Sequence, residues 1–126
     1  MSRPHVLVVE DSVFISQQIA DKLSDQYDFG TSTAESAADA RAALEASDID
    51  CLLVKHNLPD ESGMELAASL DAEVPVILLT SSAVESVAMD ALQAGVSEFF
   101  HKDNLSEETV DVLANRIDIL VDLYGL

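Results

Sequence analysis

The amino-acid sequence predicts an α/β fold, a doubly wound (βα)5 arrangement in which five parallel strands form one sheet with helices on both faces. Three observations carry that reading. Short runs rich in β-branched and aliphatic residues alternate with longer stretches of helical character. The runs are apolar at consecutive positions, as strands buried on both faces are. The chain has 126 residues, the length of one domain, and right-handed crossovers would return every strand in the same direction. A single domain over 1–126 is therefore expected.

The elements follow in order. His5 to Val9 reads as the first strand, and Val13 to about Leu23 as the first helix. Tyr27 to Thr33 is a weaker second strand, and the Ala-rich stretch from Ala34 to Ala46 is helical. Ile49 to Val54 is the third strand, ended by the turn chemistry of Asn57-Leu58-Pro59-Asp60. Ser62 to Leu70 is a short helix, and Val74 to Leu79 the fourth strand, with Pro75 tolerable only near its start. Ala83 to Ala94 reads as a helix stopped by Gly95, and Val96 to Phe100 as the fifth strand. The last helix opens at Ser106-Glu107-Glu108, where the serine can cap and the acids meet the positive end of the helix dipole.

Composition removes several functions. Six Lys and Arg stand against 24 Asp and Glu, a net charge of −18. A phosphate backbone would be repelled, and the basic residues form no cluster, so direct nucleic-acid binding is not expected. The same balance disfavours anionic membranes, and no apolar run approaches the ~20 residues of a transmembrane helix. The lone Cys51 provides no disulfide framework and suits a reducing compartment, so a soluble, cytoplasmic domain is expected. The acids are spread along the whole chain, which points to adaptation to high salt, where their repulsion is screened.

In such a sheet the ligand site lies beyond the carboxyl ends of the strands. Strand one delivers Glu10 and Asp11 there, strand three Lys55, strand four Thr80 and Ser81, and strand five is followed by Lys102. With Val8-Val9-Glu10-Asp11-Ser12, Leu58-Pro59-Asp60-Glu61-Ser62-Gly63-Met64-Glu65-Leu66, Pro75 to Ser81, and Ala94 to Lys102, the chain resembles the CheY-like receiver domain of two-component response regulators over essentially its whole length. The resemblance implies the flavodoxin-like strand order 2-1-3-4-5. It also implies a Mg²⁺ site built from Glu10, Asp11 and the backbone carbonyl of Asn57. Lys102 would neutralise phosphoryl oxygens, Thr80 with Ser81 would contact the phosphoryl group, and Phe99 would change rotamer as the switch aromatic.

One departure dominates. The position that holds the phosphoacceptor aspartate in that family is Lys55 here, and an ammonium cannot form an acyl phosphate. Lys55 also brings a positive charge to the place of Mg²⁺, so it is expected to pair with Asp11 or Glu10 and to weaken metal binding, leaving no cofactor required. Phe99 replaces the commoner Tyr, and Asp103 replaces the commoner Pro, so the Lys102–Asp103 bond is expected to be trans.

Plainer readings exist for each residue. Glu10 and Asp11 could be surface acids, but they end an apolar strand. Lys55 could reach solvent, or form a structural ion pair, or act as a Schiff-base lysine; two nearby acids keep it protonated, and the ion pair is expected. His56 should point away from the acids unless the chain has already turned, because adjacent strand residues face opposite sides. Three scattered histidines do not suggest zinc, and Cys51 reads as a small buried hydrophobe.

The last helix is apolar on two sides. Val110, Leu113, Ile117, Leu120 and Tyr124 should face the sheet, while Val112, Ile119 and Leu123 lie nearly opposite. Such a second stripe marks an interaction surface. The expected function is a receiver-type signalling module, independent of phosphorylation and not an enzyme. It would work by contact with a protein partner: a histidine kinase, an output domain, or a second copy through the last helix. The alternatives are a receiver that still switches through metal or another acceptor and, more distantly, a small enzyme using Lys55.

Overall fold

The computed structural model describes residues 4–56, 58–70, 74–80, 98–101 and 107–124. The helix expected over Ala83–Ala94 with its Gly95 stop, together with Asn57, Ser81, Lys102, Asp103 and Ser106, lies outside the described residues.

Five strands form one sheet: β1 (His5–Val9), β2 (Gly30–Ala34), β3 (Cys51–Lys55), β4 (Val76–Thr80) and β5 (Glu98–His101). Their order is β2-β1-β3-β4-β5, and every neighbouring pair is parallel. That is the order the family resemblance implies. The central strands are buried without a break, Val6 to Val9 and Cys51 to Val54, because helices cover both faces.

Alternation along the strands separates two cores. Val6, Val8, Leu53 and Ile77 pack with Ile19 and Leu23 of α1 (Val13–Tyr27) and with Val110, Leu113 and Ile117 of the final helix, Glu107–Tyr124. Leu7, Val9, Leu52, Val54 and Leu78 pack with Ala37 and Ala40 of α2 (Ala37–Ala46) and with Leu66 and Ala67 of α3 (Gly63–Ser69). The fully buried positions of α2 are the small residues Ala37 and Ala40.

Most boundaries shift by one or two residues from the sequence expectation, and two changes are larger or reassign a residue between elements. α1 continues past Leu23 to Tyr27, and Asp28 caps it in the left-handed region with φ 63°, its N–H reaching the carbonyls of Leu23 and Ser24. Asp tolerates that conformation better than most residues. Tyr27 thus belongs to the helix rather than to the second strand, and its ring lies near that of Phe29 at 6.1 Å. Likewise Ala34 ends β2 opposite Val9 instead of starting α2, which Ser36 caps by accepting from the Asp39 N–H.

Candidate functional site

The site assembles where β1 and β3 end. The register pairs Val9 with Val54, so Glu10 and Lys55 follow at the same level on adjacent strands. Glu10 continues the face of Val6 and Val8, and Lys55 continues the face of Cys51 and Leu53. Strand alternation therefore aims both at the same side, beyond the layer of α1 and the final helix.

The contacts agree. Lys55 Nζ donates to Asp11 Oδ1 at 2.7 Å and lies 3.5 Å from Glu10 Oε2. Glu10 is buried at 1% exposure, and the Ser12 N–H donates to its Oε2 at 3.1 Å. Asp11 remains partly open to water, as does Lys55. Ser12 then caps α1, its hydroxyl accepting from Ile15 N–H at 3.4 Å, a long bond. A hydrogen bond with the Glu10 carboxyl and another from the Lys55 ammonium lower the Asp11 pKa from its usual 3.8 to about 2. The hydrogen bond to Asp11 likewise raises Lys55 above its ordinary range, against the opposing effect of burial.

The segment after Lys55 is pinned. His56 N–H donates to Leu79 O at 2.9 Å, and its carbonyl accepts from Gly63 N–H at 2.8 Å. Gly63 is required there: a Cβ would stand 2.5 Å from the Lys55 carbonyl oxygen and 2.8 Å from Val54 Cγ1. β3 ends at Lys55, so His56 already stands in the bend that follows the strand.

Asp60 holds the far end of the turn. Its two carboxylate oxygens accept from the Ala37 and Ala38 N–H groups, both at 3.0 Å, so the start of α2 is satisfied from another part of the chain. Those two bonds hold its carboxyl below the usual range. Arg41 on α2 adds an ion pair to Glu61 and a 3.1 Å bond to Ser69 Oγ. The sequence offers no local signal for this clamp, because its partners are 22 and 23 residues apart.

The other expected site residues divide in two. Thr80 ends β4 opposite His101, and Phe99 pairs with Leu78, so both backbones reach the same end of the sheet; their side chains are outside the description. Asn57, Ser81 and Lys102 are outside it entirely. Val112, Ile119 and Leu123 are exposed on the final helix. Phe14, at 77% exposure, was not singled out in the sequence: of the run Val13-Phe14-Ile15, helical spacing turns only Ile15 inward. Burial and the nearby Asp50 charge push the Cys51 thiol up to about 12, consistent with a packing role.

A divalent cation such as Mg²⁺ needs several oxygen ligands at ~2.1 Å. The described residues offer Glu10 and Asp11, and both already face the Lys55 ammonium, so the donor set does not fit the ion unless Lys55 leaves. No group of three or more potential ligands occurs among the described residues. No described helix is long and apolar enough to cross a membrane.

Sheet order and strand-end acids together define a flavodoxin-like α/β domain of the CheY-like type. The family model of the response regulator receiver domain matches residues 6–114, and the chain belongs to that family, the receivers of two-component signalling. It is 32% identical over 119 residues to the hybrid signal transduction histidine kinase D of Dictyostelium discoideum, covering 90% of this chain and 8% of that protein. It is 27% identical over 117 residues to protein-glutamate methylesterase/protein-glutamine glutaminase 3 of Rhodospirillum rubrum, covering 90% of this chain and 31% of that one. The chain thus spans a minor part of both relatives. A CheY-like receiver domain protein from Methanospirillum hungatei superposes with a TM-score of 0.85 at 22% identity, covering 98% of each chain, which shows the fold.

Proposed function

We propose that this receiver signals without an acyl phosphate at the family's usual position and acts through protein contact. The observation that carries the reading is the Lys55 ammonium, 2.7 Å from Asp11 and 3.5 Å from Glu10. In this reading Lys55 is a tethered cation that takes the place of the metal and also removes the nucleophilic carboxylate. Glu10 and Asp11 keep the structural half of their role, holding a positive charge at the end of β1. Thr80, Ser81, Phe99 and Lys102 are then remnants of the phosphoryl-contact and switch positions, and the backbone of Asn57 is a metal ligand without a metal to hold.

The charge state supports permanence. With Asp11 held near pH 2 and Lys55 raised, this pair stays ionised across the neutral range and offers no pH switch there. Reaction class follows from chemistry. A protonated amine lacks the electron pair to attack a phosphoryl donor, and no turnover by Lys55 is invoked. A histidine kinase, an output domain or another protein would meet the domain through its surface, and the distributed acids would keep it soluble in concentrated salt.

The test is incubation with acetyl phosphate and Mg²⁺ followed by intact mass measurement. The expected result is an unmodified chain. A phosphoryl adduct, at His56 or elsewhere, would replace this reading with a receiver that uses another acceptor.

A further inference from the structure

The final helix buries Val110, Leu113, Ile117 and Leu120 against the sheet, yet Val112, Ile119 and Leu123 are 48%, 44% and 59% exposed. At about 100° per residue these three fall in one narrow band nearly opposite the buried face. A rise of ~1.5 Å per residue spreads the band over about 16 Å of helix. The same projection sets Asp111, Asp118 and Asp122 about a quarter turn to one side of the band and Arg116 close beside its other edge, all of them exposed. Desolvation and the neighbouring Asp122 charge raise the Asp118 carboxyl, a sign of crowded acids on the acidic side.

A second copy of the chain fits this surface poorly. Antiparallel pairing would bring the two acidic edges together, and parallel pairing would set three acids against one arginine. The net charge of −18 on each chain adds long-range repulsion. Three apolar side chains also fall well short of the ~800 Å² per partner of a standard stable interface. The occupant that satisfies both the band and its edge is short, apolar on one side and basic beside it.

We propose that the outward stripe of the final helix docks a short amphipathic helix of a protein partner, apolar residues against Val112, Ile119 and Leu123 and basic residues opposite Asp111, Asp118 and Asp122. The inference rests on the reading of the chain as an interaction module. It is tested apart from it, because the mass measurement with acetyl phosphate does not involve this face.

The probe is a synthetic amphipathic helix of roughly five turns, with leucines at 3-4 spacing and lysines along one edge. Binding to the whole chain is followed by fluorescence anisotropy across a salt series. The lysine helix is expected to bind saturably, and its counterpart with glutamates is not. Ile119→Glu should weaken binding by about tenfold or more, and Leu123→Gln by a smaller factor, with circular dichroism confirming that both variants fold. Asp118→Asn with Asp122→Asn should flatten the salt dependence. Binding that ignores Ile119→Glu and Leu123→Gln would assign the attraction to general acidity and overturn the proposal. So would failure of the lysine helix to bind, or a wild-type dimer in sedimentation that Ile119→Glu turns into a monomer.

Discussion

At the ends of β1 and β3, opposite charges are brought together inside one chain; on the outer side of the final helix, apolar side chains are left facing water. Glu10 is almost wholly buried, and Lys55 and the Ser12 N–H stand beside its carboxyl group. Ile119, by contrast, is 44% exposed. In the proposed reading the first region, where receivers carry out their chemistry, is closed by the protein's own cation, and the second is where a partner is met. The energetics differ accordingly. Removing the cation from the first region takes a counter-charge from beside a buried carboxyl group, whereas an apolar group removed from the second leaves nothing behind.

The largest effect expected from that contrast is at Lys55. Lys55→Met should cost about 2 kcal/mol in urea unfolding, less than the ~3–5 kcal/mol of a fully buried pair because Lys55 and Asp11 are partly solvated. A variant as stable as wild type would mean that Glu10 does not depend on the ammonium. Next comes salt. The melting temperature should climb by several degrees from dilute buffer to molar KCl as the −18 charge is screened, and equally so in Lys55→Met, since the contact pair is short-ranged. A flat or falling midpoint would remove the high-salt interpretation.

Acid offers a smaller handle. The Asp11 pKa is lowered, so the pair's contribution is complete above about pH 4 and is lost as pH falls through about 2. Stability measured over that window should fall more steeply in wild type than in Lys55→Met; parallel curves would count against the pair. The smallest effect is at the stripe, where Ile119→Ser should change stability by no more than ~0.5 kcal/mol. A loss of several times that size would show that Ile119 is core.

Much of this was legible from residues alone. The inner strands β1, β3 and β4 declared themselves because burial on both faces demands uninterrupted apolar runs, and the Lys55 pair followed from the family resemblance, which sets Lys55 in the place of the metal. The final helix was equally readable, since its two stripes share one period. What escaped depends on tertiary contact or on a weak local signal. Asp60 caps a helix more than 20 residues away, which no local pattern encodes. The end of α1 is marked by Asp28 with positive φ, where a glycine would have been the readable sign. Phe14 was hidden because three apolar residues in a row at a helix start do not reveal that only the third turns inward.

The central claim is that Lys55 alone excludes the metal and silences the site. Lys55→Asp removes the tethered cation and sets a third carboxylate beside Glu10 and Asp11, an arrangement that a divalent ion would stabilise by binding the folded state. The direct measurement is thermal unfolding of wild type and Lys55→Asp over a Mg²⁺ titration in molar KCl, where the general repulsion of the −18 charge is already screened. The account predicts a midpoint that rises with Mg²⁺ in Lys55→Asp and stays flat in wild type. A wild-type midpoint that rises with Mg²⁺ as steeply as the variant's would contradict it.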